Sequence, residues 1–366
     1  MPAFTGPVIP PHAYSAAAVA DEEARRLFRR TWIFAGLAEE LANDNDFVVR
    51  EIAGTSVVVQ NFAGALRAFR NVCTHRFALI QTEPCGNRRL QCPYHAWLFN
   101  RDGVPAGIPG NDAFFGFDRA DREKLALARY EVAVRGRFVF VRLEGGGPDL
   151  DTYLGDYGPV LDDASRLFTD RIDDGTQTWA ANWKIGVESV LEVYHVDSTH
   201  PETFKPFTVK DWQSGFSGPH SRCATRLSDH SRQWWDGIVK RLGLAHDPRY
   251  AGIYDHYFVF PNLSFAITHG ALFSLQTYDP LTPDTCSLRY RLFLADGKRG
   301  AARTAVAATV RDFNTRVLAE DRFVSEAAHK GARQMDRPAV LGSVEDRIAA
   351  FHGEWFAWLQ SSPERK

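Results

Sequence analysis

Two stretches, NVCTHRFAL (71–79) and GNRRLQCPYHAWLFNRDG (86–103), decide how this chain is interpreted. Each holds a closely spaced pair, Cys73 with His75 and Cys92 with His95, and 16 residues separate the pairs. Both pairs fall between β-rich runs, where hairpin loops are expected, so four ligands at two loop tips can surround one metal centre. A single Cys or His is usually a plain packing residue, but two such pairs favour a metal centre.

The ligand types alone leave two kinds of centre open. Thiolate and imidazole suit tetrahedral zinc, and they equally suit an iron–sulfur cluster in which two His replace two Cys on one iron. A zinc-stabilised, non-enzymatic binding protein is therefore one hypothesis. A second is an electron-transfer domain joined to a catalytically inactive scaffold.

The flanking residues closely resemble the Rieske [2Fe–2S] signature of the ring-hydroxylating oxygenase family. The resemblance includes Tyr94 directly before the second His and Trp97 two residues after it. It implies a [2Fe–2S] cluster whose ligands are Cys73, His75, Cys92 and His95. Two neutral imidazoles in place of thiolates raise the reduction potential of such a cluster. One residue departs from the signature, since Phe77 stands where the family usually has Gly.

The segment NWKIGVESVLEVYHVDSTHP (182–201) carries a second set of ligand-type residues. Glu188, Glu192 and His195 are spaced to share one face of a helix. His200 is about 140° further round an ideal helix, so both His reach one metal only if the helix distorts or ends near Ser198. An amphipathic helix with solvated glutamates is the alternative.

This segment also looks like the mononuclear iron motif of the same family. The resemblance implies that His195 and His200 bind iron and that a carboxylate in the predicted helix 301–331 completes the set. Periodicity places both Glu320 and Asp321 near the apolar stripe of that helix. The resemblance favours Asp321 as the ligand.

Glu192 stands where the family usually has Asp, and glutamate there resembles carnitine-oxygenase-like members. In the family this carboxylate joins the iron site of one subunit to the cluster of the next in a head-to-tail trimer. The resemblance thus implies that Glu192 links His195 to His95 of a neighbouring subunit in a homotrimer.

Composition predicts a globular protein of more than one domain, and strands followed by a helix, without regular alternation, favour the α+β class. The 366 residues are 45% hydrophobic, include 26 Phe and 9 Trp, and exceed the size that one core usually serves. Helical spacing predicts an opening helix over 18–41, and the Gly-rich stretch 145–149 predicts a linker. Together with these features, the resemblance implies an N-terminal helical segment (1–40) packing on the catalytic domain, an all-β Rieske domain (41–148), and a helix-grip-like (START-type) antiparallel-sheet catalytic domain (149–366).

Charge and cysteine content exclude several function classes. A net charge of −2 gives no attraction for nucleic acid or anionic membranes, and no apolar run is long enough to span a bilayer. Five cysteines in a long chain argue against a disulfide framework. With no recognisable signal segment, we expect a cytoplasmic protein.

The expected function is that of the oxygenase component of a multicomponent Rieske non-haem iron system. Its cofactors are a [2Fe–2S] cluster and a mononuclear Fe(II). Because no Gly-rich dinucleotide motif follows a predicted strand, electrons are expected from an NAD(P)H-dependent reductase, with or without a ferredoxin. The expected reaction uses O₂ for mono- or cis-dihydroxylation of a small, aromatic substrate in aromatic compound catabolism. O- or N-demethylation, or oxidation of a quaternary ammonium compound, is the alternative.

The substrate cavity is expected in the C-terminal domain. Aromatic walls suit an aromatic ring, and they suit a quaternary ammonium group through cation–π contact. The candidate lining residues are Phe204, Phe207, Trp212, Phe216, Trp234, Trp235, His256, Asn262, Phe265, His269 and Phe273.

Overall fold

The computed structural model describes residues 6–360. The described residues form two compact units, one over Ala24–Tyr153 and the other over residues 154–360 together with residues 6–23. Both units are built on antiparallel sheets with helices around them, which confirms the predicted α+β class. Across the described part of the chain, no helix is both long and apolar enough to cross a membrane.

The unit over Ala24–Tyr153 is mainly β-structure. Helix α1 (Ala17–Glu22) precedes it in the chain. The short helices α2 (Arg119–Lys124) and α3 (Leu150–Leu154) follow later. Its main antiparallel sheet has the strand order β1-β9-β8-β4-β3-β2-β5, and β6 pairs with β7 beside it. The strands are β1 (Ile33–Leu37), β2 (Asp46–Ile52), β3 (Thr55–Phe62), β4 (Ala65–Arg70), β5 (Cys85–Asn87), β6 (Leu98–Phe99), β7 (Pro105–Gly107), β8 (Arg129–Arg135) and β9 (Phe138–Arg142).

One apolar core of this unit encloses both Cys residues of the predicted cluster. Cys73 and Cys92 are almost fully buried there, together with Phe47, Phe69 and Trp97. Packing on all sides restricts the side chains of such a core to few positions. The two cysteines are therefore held in place by the fold itself.

The predicted helix over 18–41 is wrong in its second half. Helix α1 ends at Glu22, a π-helical turn covers Glu23–Phe28, and Ile33–Leu37 is strand β1. All five residues of β1 are buried and the strand pairs with β9. A short apolar run fits helix or strand equally well, and pairing with a distant strand decides between them.

The other unit holds a long, antiparallel sheet with the strand order β10-β16-β15-β14-β13-β12-β11. Its strands are β10 (Asp170–Trp179), β11 (Gln213–Ser217), β12 (His220–Arg226), β13 (Ile253–Val259), β14 (Leu263–Thr268), β15 (Leu272–Thr282) and β16 (Thr285–Leu294). Its helices are α4 (Tyr157–Leu167), α5 (Trp183–Leu191), α6 (Val196–Thr199), α7 (Asp229–Leu242), α8 (Ala301–Ala332) and α9 (Asp346–Gln360).

Helices α5 and α8 contact each other and lie against the sheet. The side chain of Asn182 caps α5 by accepting a hydrogen bond from the Lys184 amide. Gly186 lets α5 approach β15 closely, because a Cβ there would come within 2.5 Å of the Tyr278 ring. The end of α5 and the middle of α8 are thereby positioned on the same side of the sheet.

Candidate metal centres and cavity

The two Cys/His loops of the β unit have the same backbone hydrogen bonds. The amide of each cysteine donates to the carbonyl five residues further on, at 2.8 Å for Cys73 and 2.9 Å for Cys92. The amide of the fourth residue after each cysteine donates back to the cysteine carbonyl at 3.0 Å. That fourth residue, Phe77 or Ala96, has a positive φ, 64° and 55° respectively. Equivalent tight turns thus present the two Cys/His pairs.

The imidazoles of His75 and His95 each carry a buried Nδ1 atom without a hydrogen-bond partner. Their ring centroids are 4.6 Å apart, and the Trp97 ring stacks on His75 at 4.8 Å. Buried polar atoms are nearly always satisfied, so two unpartnered ring nitrogens side by side point to an additional group. A metal bound through Nδ1 of both rings satisfies them.

The two thiols fit the same group. Burial raises the pKa of the Cys73 thiol to about 11, and the neighbouring Cys92 adds to that rise. A thiol with such a pKa stays protonated at neutral pH unless a cation replaces the proton. The site thus has the ligand chemistry of a metal–thiolate centre.

The spacing of these four side chains favours a binuclear cluster over zinc. Among residues 6–360, one group of three or more His, Cys, Asp or Glu side chains has all its ligand atoms within 4.8 Å of one another. The four cluster candidates do not belong to that group, so no three of them converge as closely. Tetrahedral zinc at bond lengths of about 2.0–2.3 Å requires ligand atoms less than about 4 Å apart. A [2Fe–2S] cluster separates the Cys pair from the His pair, and the residues present fit it.

The converging group consists of His195, His200 and Asp321. His195 Nε2 lies 3.1 Å from His200 Nε2 and 3.5 Å from an Asp321 oxygen, and His200 Nε2 lies 3.0 Å from that same oxygen. Two imidazoles and one carboxylate on one side of a site form the ligand set of non-haem Fe(II) oxygenases, which leaves other coordination positions open. The residues present therefore fit an iron ion.

A break in the helix brings the two histidines together. Helix α5 ends at Leu191, Glu192 is extended with φ −129° and ψ 165°, and the single turn α6 separates His195 from His200. The prediction that Glu188, Glu192 and His195 share one helix face is wrong. The extended Glu192 turns the chain before His195 begins the next turn.

Each histidine has a second carboxylate on its other ring nitrogen. Nδ1 of His195 is hydrogen-bonded to Glu192, and Nδ1 of His200 lies 2.7 Å from Glu320. A carboxylate accepts the Nδ1 proton and leaves the Nε2 lone pair free for a metal. Thr203 donates to the same Glu320 oxygen at 2.6 Å.

These carboxylates outweigh the effect of burial on both imidazoles. Burial lowers the pKa of His195, but Asp321 and Glu192 raise it to about 10. Burial also lowers the pKa of His200, but Asp321 and Glu320 outweigh this effect, so that the pKa of His200 is raised as well. The acidic site attracts positive charge, either as protons or as a metal cation.

A cavity of about 400 Å³ opens beside this group, entirely within the unit that holds it. Of the predicted lining residues, six contribute to it, namely Phe204, Phe207, Trp212, Trp234, His256 and Phe265. Tyr254 and Phe313 add further aromatic surface. The cavity is large enough for a small organic molecule of the size that ligand sites usually accept.

The structure places the other five predicted lining residues outside the lining of this cavity. Phe216 is 53% exposed, and Trp235 is buried with its ring edge-on to Trp234. Asn262 donates to Tyr278 and Asp279, Phe273 stacks on Phe168, and His269 accepts from the Gly252 amide. Composition cannot separate core aromatics from cavity walls, because the same residue types serve both.

The polar lining residues that sequence reasoning missed include Gln276, Asn314 and Arg347. Asn314 lies seven residues before Asp321 on α8, a spacing that places both side chains on one helix face. Strand alternation could have located Gln276 once the sheet register was known. No sequence pattern marks Arg347, because its hydrogen bonds reach Ser221 and His256, which are distant in the chain.

Two family models match the chain, one described as the ring hydroxylating alpha subunit (catalytic domain) over residues 150–361 and one as the Rieske [2Fe-2S] domain over residues 31–130. The N,N-dimethyl phenylurea N-demethylase subunit alpha of Sphingobium sp. (strain YBL2) is 32% identical over 53% of this chain and 44% of that protein. The carnitine monooxygenase oxygenase subunit of Acinetobacter pittii (strain PHEA-2) is 26% identical over 77% of this chain and 74% of that protein.

The fold is similar to a solved structure of the quaternary ammonium Rieske monooxygenase CntA with L-carnitine. The TM-score is 0.80 at 20% sequence identity, and the match covers 96% of each chain. At this identity the likeness concerns the fold.

Proposed function

The chain belongs to the family of ring-hydroxylating alpha subunits with a Rieske [2Fe–2S] domain, and we propose that it is the terminal oxygenase component of a multicomponent Rieske system. The observation that carries this proposal is the convergence of His195, His200 and Asp321 at the wall of a cavity. Cys73, His75, Cys92 and His95 are the proposed cluster ligands.

The two groups have separate tasks in this proposal. When bound, the cluster relays single electrons and the mononuclear iron activates O₂. The protein's own part is positional, since Glu192 and Glu320 fix the two imidazoles through their Nδ1 protons. The mostly apolar cavity excludes water around the reacting part of the substrate.

Electrons come from a partner in this proposal. The sequence contains no Gly-rich dinucleotide fingerprint after a strand, which supports an NAD(P)H-dependent reductase, with or without a ferredoxin, as the donor. The exposed position of Tyr94, beside the second His of the cluster, supports delivery of electrons from outside the chain.

The proposed reaction is hydroxylation of a small organic substrate. Aromatic rings at the cavity wall support an aromatic substrate for mono- or cis-dihydroxylation. The same rings support a quaternary ammonium group, which binds aromatic faces through its positive charge. Similarity to an N-demethylase favours N-demethylation as the second candidate, and similarity to a carnitine monooxygenase favours oxidation of a quaternary ammonium compound.

We further propose a head-to-tail homotrimer in which Glu192 connects His195 to His95 of a neighbouring subunit. Glu192 holds His195 on one side, and His95 lies beside the surface of its unit, next to the exposed Tyr94. In this arrangement each cluster serves the iron site of the next chain. An isolated chain is then nearly inactive.

The proposed activity is tested by measuring substrate-dependent product formation with a reductase and NADH. The screen includes aromatic acids, phenylureas and quaternary ammonium compounds, with products identified by mass spectrometry because uncoupled turnover also consumes O₂. The Asp321→Ala variant is the control and should form no product. Product formation by that variant would contradict the assignment of the iron site.

A further inference from the structure

The cavity wall contains a buried cation, Arg347, whose charge is not balanced by the protein. Arg347 is 2% exposed and lies in the first turn of α9. It is the one Lys or Arg side chain among the described residues that line the cavity. Arginine stays protonated in proteins, so this side chain is a permanent positive charge.

The hydrogen bonds of Arg347 go to neutral groups. Its Nε donates to Ser221 Oγ at 3.0 Å, and Nη2 donates to His256 Nδ1 at 2.9 Å. Because Arg can only donate, His256 Nδ1 accepts and the ring carries its proton on Nε2, which lies 2.8 Å from Ser264 Oγ. Burial and the charge of Arg347 keep the pKa of His256 well below its ordinary value, which supports a neutral ring.

The nearby carboxylates are occupied elsewhere. Asp255 accepts both hydrogen bonds of Arg222, at 2.6 and 2.8 Å, and Asp346 accepts from Ser214 at 2.9 Å. Within residues 6–360, Arg347 forms no ion pair with a carboxylate. Such an unpaired charge in the interior is unfavourable, and the positive end of the α9 dipole opposes it further.

Arg347 and the metal group occupy one cavity. Burial raises the pKa of Tyr254, Arg347 opposes this rise and Asp321 adds to it, so this phenol is within reach of both charges. Tyr254 and His256 are two residues apart on β13 and therefore face the same side of the sheet. Ser264, Ser274 and Gln276 line the same cavity and provide neutral hydrogen-bonding groups.

We propose that Arg347 binds a carboxylate of the substrate and so orients the rest of the molecule toward His195, His200 and Asp321. This inference rests on the proposed oxygenase function and narrows its substrates to small organic acids. Arg presents two parallel N–H groups to a carboxylate, and in a desolvated cavity such a pair is strong and directional. Nη1 donates to no oxygen or nitrogen of the described residues, and the weakly accepting Cys223 thiol lies close to the guanidinium.

The carboxylate can belong to an aromatic acid or to a quaternary ammonium acid, and two matched pairs of probes distinguish them. Benzoate is compared with benzyl alcohol, and glycine betaine with choline, so that each pair differs in one carboxylate. Binding to the metal-loaded enzyme is measured calorimetrically without reductase, so that no turnover occurs. For at least one pair, the affinity of the acid should be at least about tenfold higher than that of the matching alcohol.

Variants assign this preference to Arg347. In Arg347→Met the acid should lose about tenfold to a hundredfold in affinity, while the alcohol keeps its affinity. Arg347→Lys should retain part of the preference. Arg316→Met removes the same charge from an exposed position on α8 and should change neither affinity.

A structural role of Arg347 alone would lower stability without changing the acid-to-alcohol ratio. Should Arg347→Met fail to fold, chloride competition with the wild-type enzyme gives the answer, since chloride should weaken binding of the acid and leave the alcohol unaffected. Equal affinity within both probe pairs, or absence of binding by both acids, overturns the inference. An enzyme with cluster and iron but without acid preference contradicts this inference alone, whereas a colourless zinc protein contradicts the proposed function.

Discussion

At the scale of single residues, the iron-site imidazoles are each oriented by their own carboxylate. Glu320 accepts from both His200 and Thr203, so its position is fixed. Replacing it by Ala removes the acceptor for Nδ1–H and lets the ring rotate. Outer carboxylates of this kind typically contribute about tenfold to a hundredfold in metal affinity or activity.

We therefore expect Glu320→Ala to lower the affinity of the mononuclear site for Fe(II) about tenfold to a hundredfold, with an unchanged visible spectrum of the cluster. Glu320→Gln keeps an acceptor oxygen and should recover part of the affinity. Glu326→Gln, on the same helix but hydrogen-bonded to Arg322 and the Ala180 amide, is the matched control. Unchanged iron affinity in Glu320→Ala would contradict the orienting role.

The neutral state of His256 has a pH-dependent consequence. Burial, followed by the charge of Arg347, keeps its pKa well below the ordinary value. Above about pH 6.5 the ring is neutral in both folded and unfolded chains, and below it the unfolded chain takes up a proton that the folded chain does not. Stability should thus fall with falling pH, by up to about 1.4 kcal/mol per unit from this residue.

Denaturant unfolding at pH 7, 6 and 5 checks this expectation. The wild-type protein should lose more stability over that range than His256→Gln, which has no proton to bind. Parallel loss in the two proteins would show that His256 does not contribute. His230→Gln removes an exposed histidine of the same unit and should behave as the wild type.

Sequence could identify single ligands only where spacing or resemblance marks them. Short spacing marks Cys73 and His75 as a pair, and resemblance favours Asp321 over Glu320. In the structure both carboxylates contact His200, Asp321 near Nε2 within the convergent group and Glu320 at Nδ1 on the other side of the ring. Contacts between residues 120 positions apart, such as His200 with Glu320, leave no periodic signal in the chain.

At the scale of elements, the close approach of α5 to β15 positions the segment that leads to His195. Gly186 makes this approach possible, since a Cβ would meet the Tyr278 ring at 2.5 Å. Gly186→Ala should cost about 1–3 kcal/mol of stability through overpacking and should lower iron occupancy by moving the end of α5.

The matched control is Gly237→Ala in α7, where a Cβ meets no atom within 4 Å. This substitution should stabilise the protein by about 0.5–1 kcal/mol because Ala is the better helix residue. Thermal unfolding and iron analysis of the two variants give the comparison. Equal behaviour of the two variants would refute the close-packing argument.

The elements also show why local pattern falls short. The long helix predicted over 301–331 is observed as α8, because its apolar stripe is sustained over many turns. The predicted helix over 18–41 fails at β1, where pairing with β9 supplies the backbone hydrogen bonds. The early end of α5 at Leu191 coincides with a local hydrogen bond, in which the Glu192 carboxylate accepts from the His195 amide three residues further on, and helical periodicity does not reveal this contact.

At the scale of the whole molecule, the proposed trimer makes electron transfer an event between chains. Cys92→Ala removes the cluster and Asp321→Ala removes the iron site, so each variant alone should be inactive. Any mixed trimer has one junction at which an intact cluster meets an intact iron site. Co-expression at equal amounts should therefore give about a quarter of the wild-type rate per chain.

The two variants mixed after separate purification, without exchange of subunits, are the control and should remain inactive. Activity of co-expressed trimers no greater than that of the separate variants would contradict transfer between chains.

Fold class and both cofactors were accessible from the sequence through the Cys/His pairs and the family motif. The cavity, with its buried Arg347, required the folded sheet to bring α9 beside β12 and β13.

The central claim is that one chain holds a [2Fe–2S] cluster and a separate iron, and metal analysis of the purified protein tests it most directly. Wild-type protein should contain about three irons per chain with the visible spectrum of a Rieske cluster. Asp321→Ala should lose about one iron and keep that spectrum. A colourless wild-type protein with zinc at the Cys/His loops, or an iron content unaffected by Asp321→Ala, would contradict the account.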